Sequence, residues 1–150
     1  MRRWQARSKR SRGFTLIELV AVMVIISILV GALAINIGNR IEFAKRTRAL
    51  QDVKTIETAV DLYAADNGSP PTTQQGLDAL KAKPNSPPVP KNWNGPYFKK
   101  AAIDPWGQKY VYQCPGQINP NGYDVISYGK DEKPGGTDEL SMDITNSDEE

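Results

Sequence analysis

A chain of 150 residues with a formal net charge of +2 has room for one small domain and a membrane anchor, and not for several domains. It contains no His and a single Cys, Cys114, which excludes an internal disulfide framework and removes the commonest general base and metal ligand. The charge is asymmetric: Arg2, Arg3, Arg7, Lys9, Arg10 and Arg12 all precede Gly13, and without those six the chain falls from +2 to −4, so its basic excess is no argument for a nucleic-acid partner.

Residues 1–13 therefore read as a basic leader that stays cytoplasmic while the rest is sent outward. From Gly13 to Gly38 the sequence GFTLIELVAVMVIISILVGALAINIG carries one charge, Glu18. Leu19 to Gly38 supplies the roughly 20 apolar residues that a bilayer core requires. A helix of this composition is apolar on every face and belongs in lipid or among other helices. Ser27 and Asn36 are tolerable there, because small polar side chains bond to backbone or to a neighbouring helix. Residues 14–38 are thus expected to form a transmembrane or filament-core helix. A secretory signal, with its shorter apolar core of about 7–15 residues, is the alternative, and Gly31-Ala32-Leu33-Ala34 would be its cleavage site.

Glu18 is the exception in this stretch. A carboxylate in a membrane helix costs about 2.5–3.5 kcal/mol, so it either snorkels to the interface or has a partner. No basic residue within the stretch supplies one, but an α-amine freed by a cut between Gly13 and Phe14 would. Gly13-Phe14-Thr15-Leu16-Ile17-Glu18, behind a basic leader and ahead of an apolar helix, resembles the processing motif of type IV pilins and type II secretion pseudopilins. That resemblance implies cleavage after Gly13 by a prepilin peptidase and N-methylation of Phe14. It also implies that Glu18 registers each subunit against the amine of a neighbour in a helical filament.

From Ile41 the pattern turns amphipathic, with Ile41, Ala49, Val53, Ile56, Val60 and Tyr63 at three- and four-residue spacing. One helix is expected to run unbroken from Phe14 to about Asp66, stopped by Asn67-Gly68 and Pro70-Pro71. Thr72 and Gln75 form a capping-box pattern ahead of a short helix carrying Leu77 and Leu80, ended by Pro84. Pro87, Pro88 and Pro90 predict an extended loop. Trp93, Tyr97, Phe98 and Trp106 are expected to clamp loops onto the long helix. Asp104-Pro105-Trp106-Gly107 reads as a turn. Lys109–Gln113 and Tyr123–Tyr128 read as strands of an antiparallel pair, and Cys114 as a small strand residue. The expected fold is α+β: a long N-terminal helix, hydrophobic then amphipathic, packed on a small antiparallel sheet.

The C-terminal stretch from Ser127 to Ile144, SYGKDEKPGGTDELSMDI, sets Asp131, Glu132, Asp138, Glu139 and Asp143 among glycines. Carboxylates of this kind are hard oxygen ligands that suit Ca²⁺ better than Zn²⁺. The spacing is not that of an EF-hand, and a solvated acidic tail is the plain reading of composition alone. Asp61-Leu62-Tyr63, Asp66-Asn67-Gly68, Pro71-Thr72-Thr73, Gln75-Gly76-Leu77, Pro90-Lys91-Asn92-Trp93, Gly95-Pro96-Tyr97, Asp104-Pro105-Trp106-Gly107 and Ser127-Tyr128-Gly129 follow one another as in the major pseudopilins of type II secretion systems.

The resemblance covers nearly all of the chain after the leader, and it implies a structural Ca²⁺ in the C-terminal loop. Asp131 and Asp138 match the two ligand positions best, with Glu139 and Asp143 as rivals because the Glu139–Met142 segment is one residue longer than usual. It further implies a non-enzymatic main subunit of a periplasmic pseudopilus, anchored by one pass in the bacterial inner membrane, that drives folded proteins across the outer membrane. Its implied partners are further copies of itself, the prepilin peptidase, minor pseudopilins, the inner-membrane assembly platform and the membrane, with no nucleic acid. The domains are then 1–13 (cleaved leader), 14–38 (membrane or filament core) and 39–150 (periplasmic domain). Two departures stand out: Ile35 occupies a position where the family usually has Pro, and the tail Asn146-Ser147-Asp148-Glu149-Glu150 lacks an aromatic. A type IV pilin is the alternative, weakened by the lone Cys. A membrane-anchored periplasmic binding module is a further one.

Overall fold

The computed structural model describes residues 13–147, without the side chains of 33–37 and 39. The expected leader, apart from Gly13, and the last three residues lie outside the described set. Helix α1 (Leu16–Asn67) is the longest element, and the chain divides into two compact units between Asn39 and Arg40.

In the first unit, every side chain described from Leu16 to Ala32 is exposed, consistent with a sequence that has no polar face to turn outward. Among the described residues no helix is long and apolar enough to cross a membrane. The expected span, Leu19–Gly38, includes residues 33–37, whose side chains lie outside the described set. Ser27 is accommodated as its composition requires: its Oγ donates to Met23 O at 2.8 Å.

The second unit is built on the amphipathic part of α1. Ala49, Val53, Ile56, Ala59, Val60 and Tyr63 form its buried stripe. Ile41, expected to begin that stripe, is half exposed: the buried apolar stripe starts at Ala49, and the contacts recorded before it, at Glu42 and Arg46, are polar. The helix ends as the sequence predicts: Gly68 adopts φ +84° and donates its N–H to Ala64 O at 2.7 Å.

Beyond the stop, the capping-box bonds form, Thr72 N to Gln75 Oε1 (3.0 Å) and Gln75 N to Thr72 Oγ1 (3.2 Å). The expected short helix follows, in 3-10 form. Gly76 sits at φ +60° and interrupts the helical path, leaving a 3-10 turn, Leu77–Leu80, whose Leu77, Ala79 and Leu80 enter the core. The Gln75 amide instead pins the proline-rich loop by donating to Ser86 O (2.8 Å) and Pro88 O (3.0 Å).

Three short strands, β1 (Val111–Gln113), β2 (Asp124–Ser127) and β3 (Ile144–Thr145), make an antiparallel sheet in that order. The register pairs Tyr112 with Val125 and Ser127 with Ile144. The strands are shorter than the β-rich runs that contain them: Tyr123, Tyr128 and Cys114 fall just outside, and Lys109 makes only an isolated bridge to Ile103. Val125 and Ile144 are fully buried against the helical stripe, each side chain contributing about 1.5–3 kcal/mol.

The aromatics act as clamps. Tyr123 OH donates to Asp61 Oδ1 at 2.7 Å and Tyr97 OH to Asp66 Oδ2 at 2.7 Å, both on α1. Trp93 Nε1 reaches Ala79 O at 2.9 Å. Burial pushes the Tyr110, Tyr112 and Tyr123 hydroxyls well above their ordinary range, and the neutral Tyr112 and Tyr123 hydroxyls donate to Pro71 O and Asp61 Oδ1.

Two buried carboxylates organise the turns around this core. Asp104 Oδ1 accepts from Trp106 N (3.0 Å) and Gln108 N (2.8 Å), while Oδ2 accepts from Ser127 Oγ (2.6 Å). Asp124 gathers the N–H groups of Gln117, Ile118 and Asn119 at 2.6–2.9 Å.

Candidate functional site

The amino-terminal segment presents Gly13 and Phe14 as exposed coil, with Phe14 90% exposed. Thr15 caps α1. Its Oγ1 accepts from Glu18 N (3.3 Å), and Glu18 Oε2 accepts from Thr15 N (2.8 Å) and Thr15 Oγ1 (3.0 Å). This is a reciprocal capping box, so within one chain the Glu18 carboxylate is held by its own helix start. From Leu16 to Val30 the side chains around it are apolar and exposed apart from Ser27. Such a surface is covered only by lipid or by other apolar helices.

The carboxy-terminal loop leaves β2 through the 3-10 turn Gly129–Asp131 and returns as β3. Glu132 (φ 58°), Gly135 (φ 93°) and Gly136 (φ 127°) turn the chain through left-handed conformations. A side chain at Gly136 would overlap Ser141 O, so the loop closes on itself there. Around Gly129 the carbonyl oxygens of Met142, Leu140 and Ser141 stand 3.4–3.8 Å from where a Cβ would be.

The acidic residues divide their work. Asp138 Oδ1 accepts from Leu140 N (2.9 Å) and Ser141 N (3.1 Å), and its Oδ2 from Ser141 Oγ (2.8 Å). The Ser141 hydroxyl, and next the Leu140 N–H, hold the Asp138 carboxyl below the usual carboxylate range. Asp143 Oδ2 accepts from Gly135 N (2.9 Å), but its Oδ1 is buried without a hydrogen-bond partner. Asp131 Oδ1 takes one long bond from Lys133 N (3.4 Å), and Glu139 is exposed. Among the described residues no three acidic or Cys side chains converge as a metal cage, so a cation here would draw on backbone carbonyls as well. Asp143 Oδ1 is a buried carboxylate oxygen without a partner and three carbonyls of the same loop surround Gly129, oxygen donors of the kind that suit a hard cation.

Two side-chain bonds tie this loop to the rest of the unit, Arg46 Nη1 donating to Met142 O (2.7 Å) and Gln108 Nε2 to Glu132 Oε2 (3.1 Å), while Trp106 Nε1 donates to Glu42 Oε2 (2.8 Å) and so ties the neighbouring turn to α1. The Trp106 indole N–H, more than the ion pair with Lys45, holds the Glu42 carboxyl below its ordinary range, with a smaller contribution from Lys130 of the loop.

Residues 36–147 match the family described as type II secretion system (T2SS), protein G, and residues 8–34 match the prokaryotic N-terminal methylation motif. The chain belongs to the type II secretion system protein G family. It is 46% identical over 131 residues to the type II secretion system core protein G of Pseudomonas aeruginosa, covering 87% of this chain and 91% of that protein. The corresponding protein of Escherichia coli K12 is 40% identical over 133 residues, with 88% and 90% covered. The crystal structure of the major pseudopilin from the type 2 secretion system of enterohaemorrhagic Escherichia coli superposes with a TM-score of 0.61 at 36% identity, over 73% of this chain and 87% of that one.

Within this protein G fold, Gly13, Phe14 and Glu18 share the start of α1, and Asp131, Asp138, Glu139 and Asp143 share one loop. Sequence reasoning missed the hubs Asp104 and Asp124 and the ties through Glu42 and Arg46. The Asp104-Pro105-Trp106-Gly107 turn was a signal for the first, since Asp at the head of a turn accepts from the N–H two residues on. The i, i+4 placement of Glu42 and Arg46 marks one helix face, but nothing local names Trp106 and Met142 as their partners.

Proposed function

We propose that this chain is the main structural subunit of a periplasmic pseudopilus that drives export of folded proteins across the outer membrane by type II secretion. The match of residues 36–147 to the protein G family carries this reading. The role is structural and not enzymatic, in keeping with relatives named as a core protein and a major pseudopilin. Before assembly the chain is a single-pass inner-membrane protein, with its leader cytoplasmic and the unit from Arg40 onward periplasmic. The methylation motif at 8–34 and the exposed start of α1, apolar but for Glu18 and Ser27, support that topology. Its partners are the prepilin peptidase, further copies of itself, minor pseudopilins and the inner-membrane platform.

The proposed assembly step follows from the cap. Cleavage after Gly13 frees the Phe14 amine, which is methylated. Glu18 then exchanges its bonds to Thr15, a neutral N–H and a hydroxyl, for the charged amine of a neighbouring subunit, gaining an ion pair in which both partners carry a charge. That gain is available only at the register where amine and carboxylate meet, so it selects one helical offset between subunits.

Calcium in the C-terminal loop belongs to the same proposal. Asp131 and Asp143, with the carbonyls of Leu140 and Ser141, would hold it, while Asp138 shapes the loop through its own turn. Bound there, the ion would supply charge neutralisation and the missing partner for Asp143 Oδ1.

Intact-mass and N-terminal analysis of the protein from its native membrane tests the reading. A chain beginning at methylated Phe14 is expected. Retention of Met1 and the leader, or a start after Ala34, would remove the assembly mechanism.

A further inference from the structure

The first turns of α1 in the second unit lack apolar support. Ile41 and Phe43 are 51% and 50% exposed, and the buried stripe begins at Ala49. Within the continuous helix Leu16–Asn67, residues 40–48 bury no apolar side chain, and their side-chain contacts to distant segments are polar. Glu42 receives the Trp106 indole N–H, and Arg46, one turn later, donates to Met142 O across 96 residues of sequence. Met142 O belongs to the peptide that leads into Asp143, whose Oδ1 is the buried orphan, and it is the closest of the three carbonyls around Gly129. Gln108 to Glu132 adds a second tie between the loop and the Trp106 turn. The chain thus links the oxygen-rich loop to the least supported turns of its helix through one guanidinium.

We propose that Arg46 is a positioning residue that transmits ordering of the C-terminal loop to residues 40–48 of α1. The inference rests on the calcium reading of that loop. Metal binding fixes the Leu140–Asp143 backbone, a fixed Met142 carbonyl holds the Arg46 fork, and the fork holds the helix turns that carry no core residue. A lysine ammonium would keep the charge but on a differently shaped donor, so it should hold the Met142 carbonyl less well.

The test is amide hydrogen exchange on the full-length chain in detergent micelles, with calcium and with chelator, read over residues 40–48 and 138–145. In the parent, calcium should slow exchange in both segments, by roughly three- to tenfold in the helix, the scale of one net hydrogen bond. In Arg46→Gln, calcium should still slow the loop but leave the helix segment unchanged, and Arg46→Lys should restore part of the response. Equal helix protection in Arg46→Gln and parent, or a parent helix that ignores calcium while its loop responds, would overturn the proposal. Should neither segment of the parent respond, the calcium reading fails. The metal-free comparison then decides: faster exchange in both segments of Arg46→Gln supports the tie, and unchanged exchange overturns it.

Discussion

Asp143→Ala separates a metal ligand from an ordinary loop residue, because its effect should depend on calcium. In chelator the substitution removes the Gly135 N–H bond to Oδ2, worth about 0.5–1.5 kcal/mol, but also removes a buried oxygen without a partner, whose desolvation costs about 1–3 kcal/mol. The two terms oppose, so the metal-free variant should lie within about 1 kcal/mol of the parent. With free calcium a hundredfold above its dissociation constant, the parent should gain about 2.7 kcal/mol. For a globular unit of this size that is a rise of roughly 8–16 °C in melting temperature. The variant should gain almost none of it. Thermal melts of the parent and Asp143→Ala, each with calcium and with chelator, read the interaction directly. Glu139→Ala, at an exposed side chain, is the control and should keep the full calcium shift. A parent whose melting temperature ignores calcium, or an Asp143→Ala variant with an undiminished shift, would refute the reasoning.

Glu18→Ala should leave membrane insertion intact and abolish pseudopilus assembly, since loss of one partner of a buried pair costs about 3–5 kcal/mol per contact; normal filaments and secretion in that variant would refute the register role. Asp124→Ala leaves three backbone N–H groups without their acceptor and should cost about 3–4 kcal/mol in denaturant melts, against a loss under about 1 kcal/mol if solvent replaces the carboxylate. Glu42 and Asp138 both titrate below their ordinary values of 4.5 and 3.8 in the folded chain. Their contribution is therefore present above those values and is lost as pH falls through the lower folded ones, so the melting temperature should drop on acidification below about pH 4. A melting temperature flat from about pH 5 to pH 3 would contradict it.

The helix and its stop were legible because their signals are local. The apolar spacing from Ala49 to Tyr63 defines a face wherever the partner lies, and Asn67-Gly68 ends a helix by its own backbone preference. Ile41 shows the limit of that logic: it has the right spacing, but burial also needs an apolar partner, and the contacts recorded at this level of α1 are the polar ones of Glu42 and Arg46. Gly76 shows another. Thr72 and Gln75 make the cap that their types predict, yet the left-handed Gly76 diverts the chain before an α-helix can form.

The C-terminal loop combines both cases. Its composition shows only that oxygen donors are abundant, and the Asp138–Ser141 spacing already carried a side-chain-to-backbone turn that occupies one carboxylate. That Asp143, not Asp138, would be left with a buried unpartnered oxygen depends on which carbonyls and N–H groups the fold brings alongside. Arg46 is the extreme instance. No local rule pairs it with Met142, because that bond exists only once the sheet has placed the loop beside α1. The division follows from the physics of each signal. Backbone preference and periodicity act over a few residues and can be read from them. A hydrogen bond between distant segments has no sequence signature of its own, and in this chain those bonds are what join the candidate metal loop to the helix it would support.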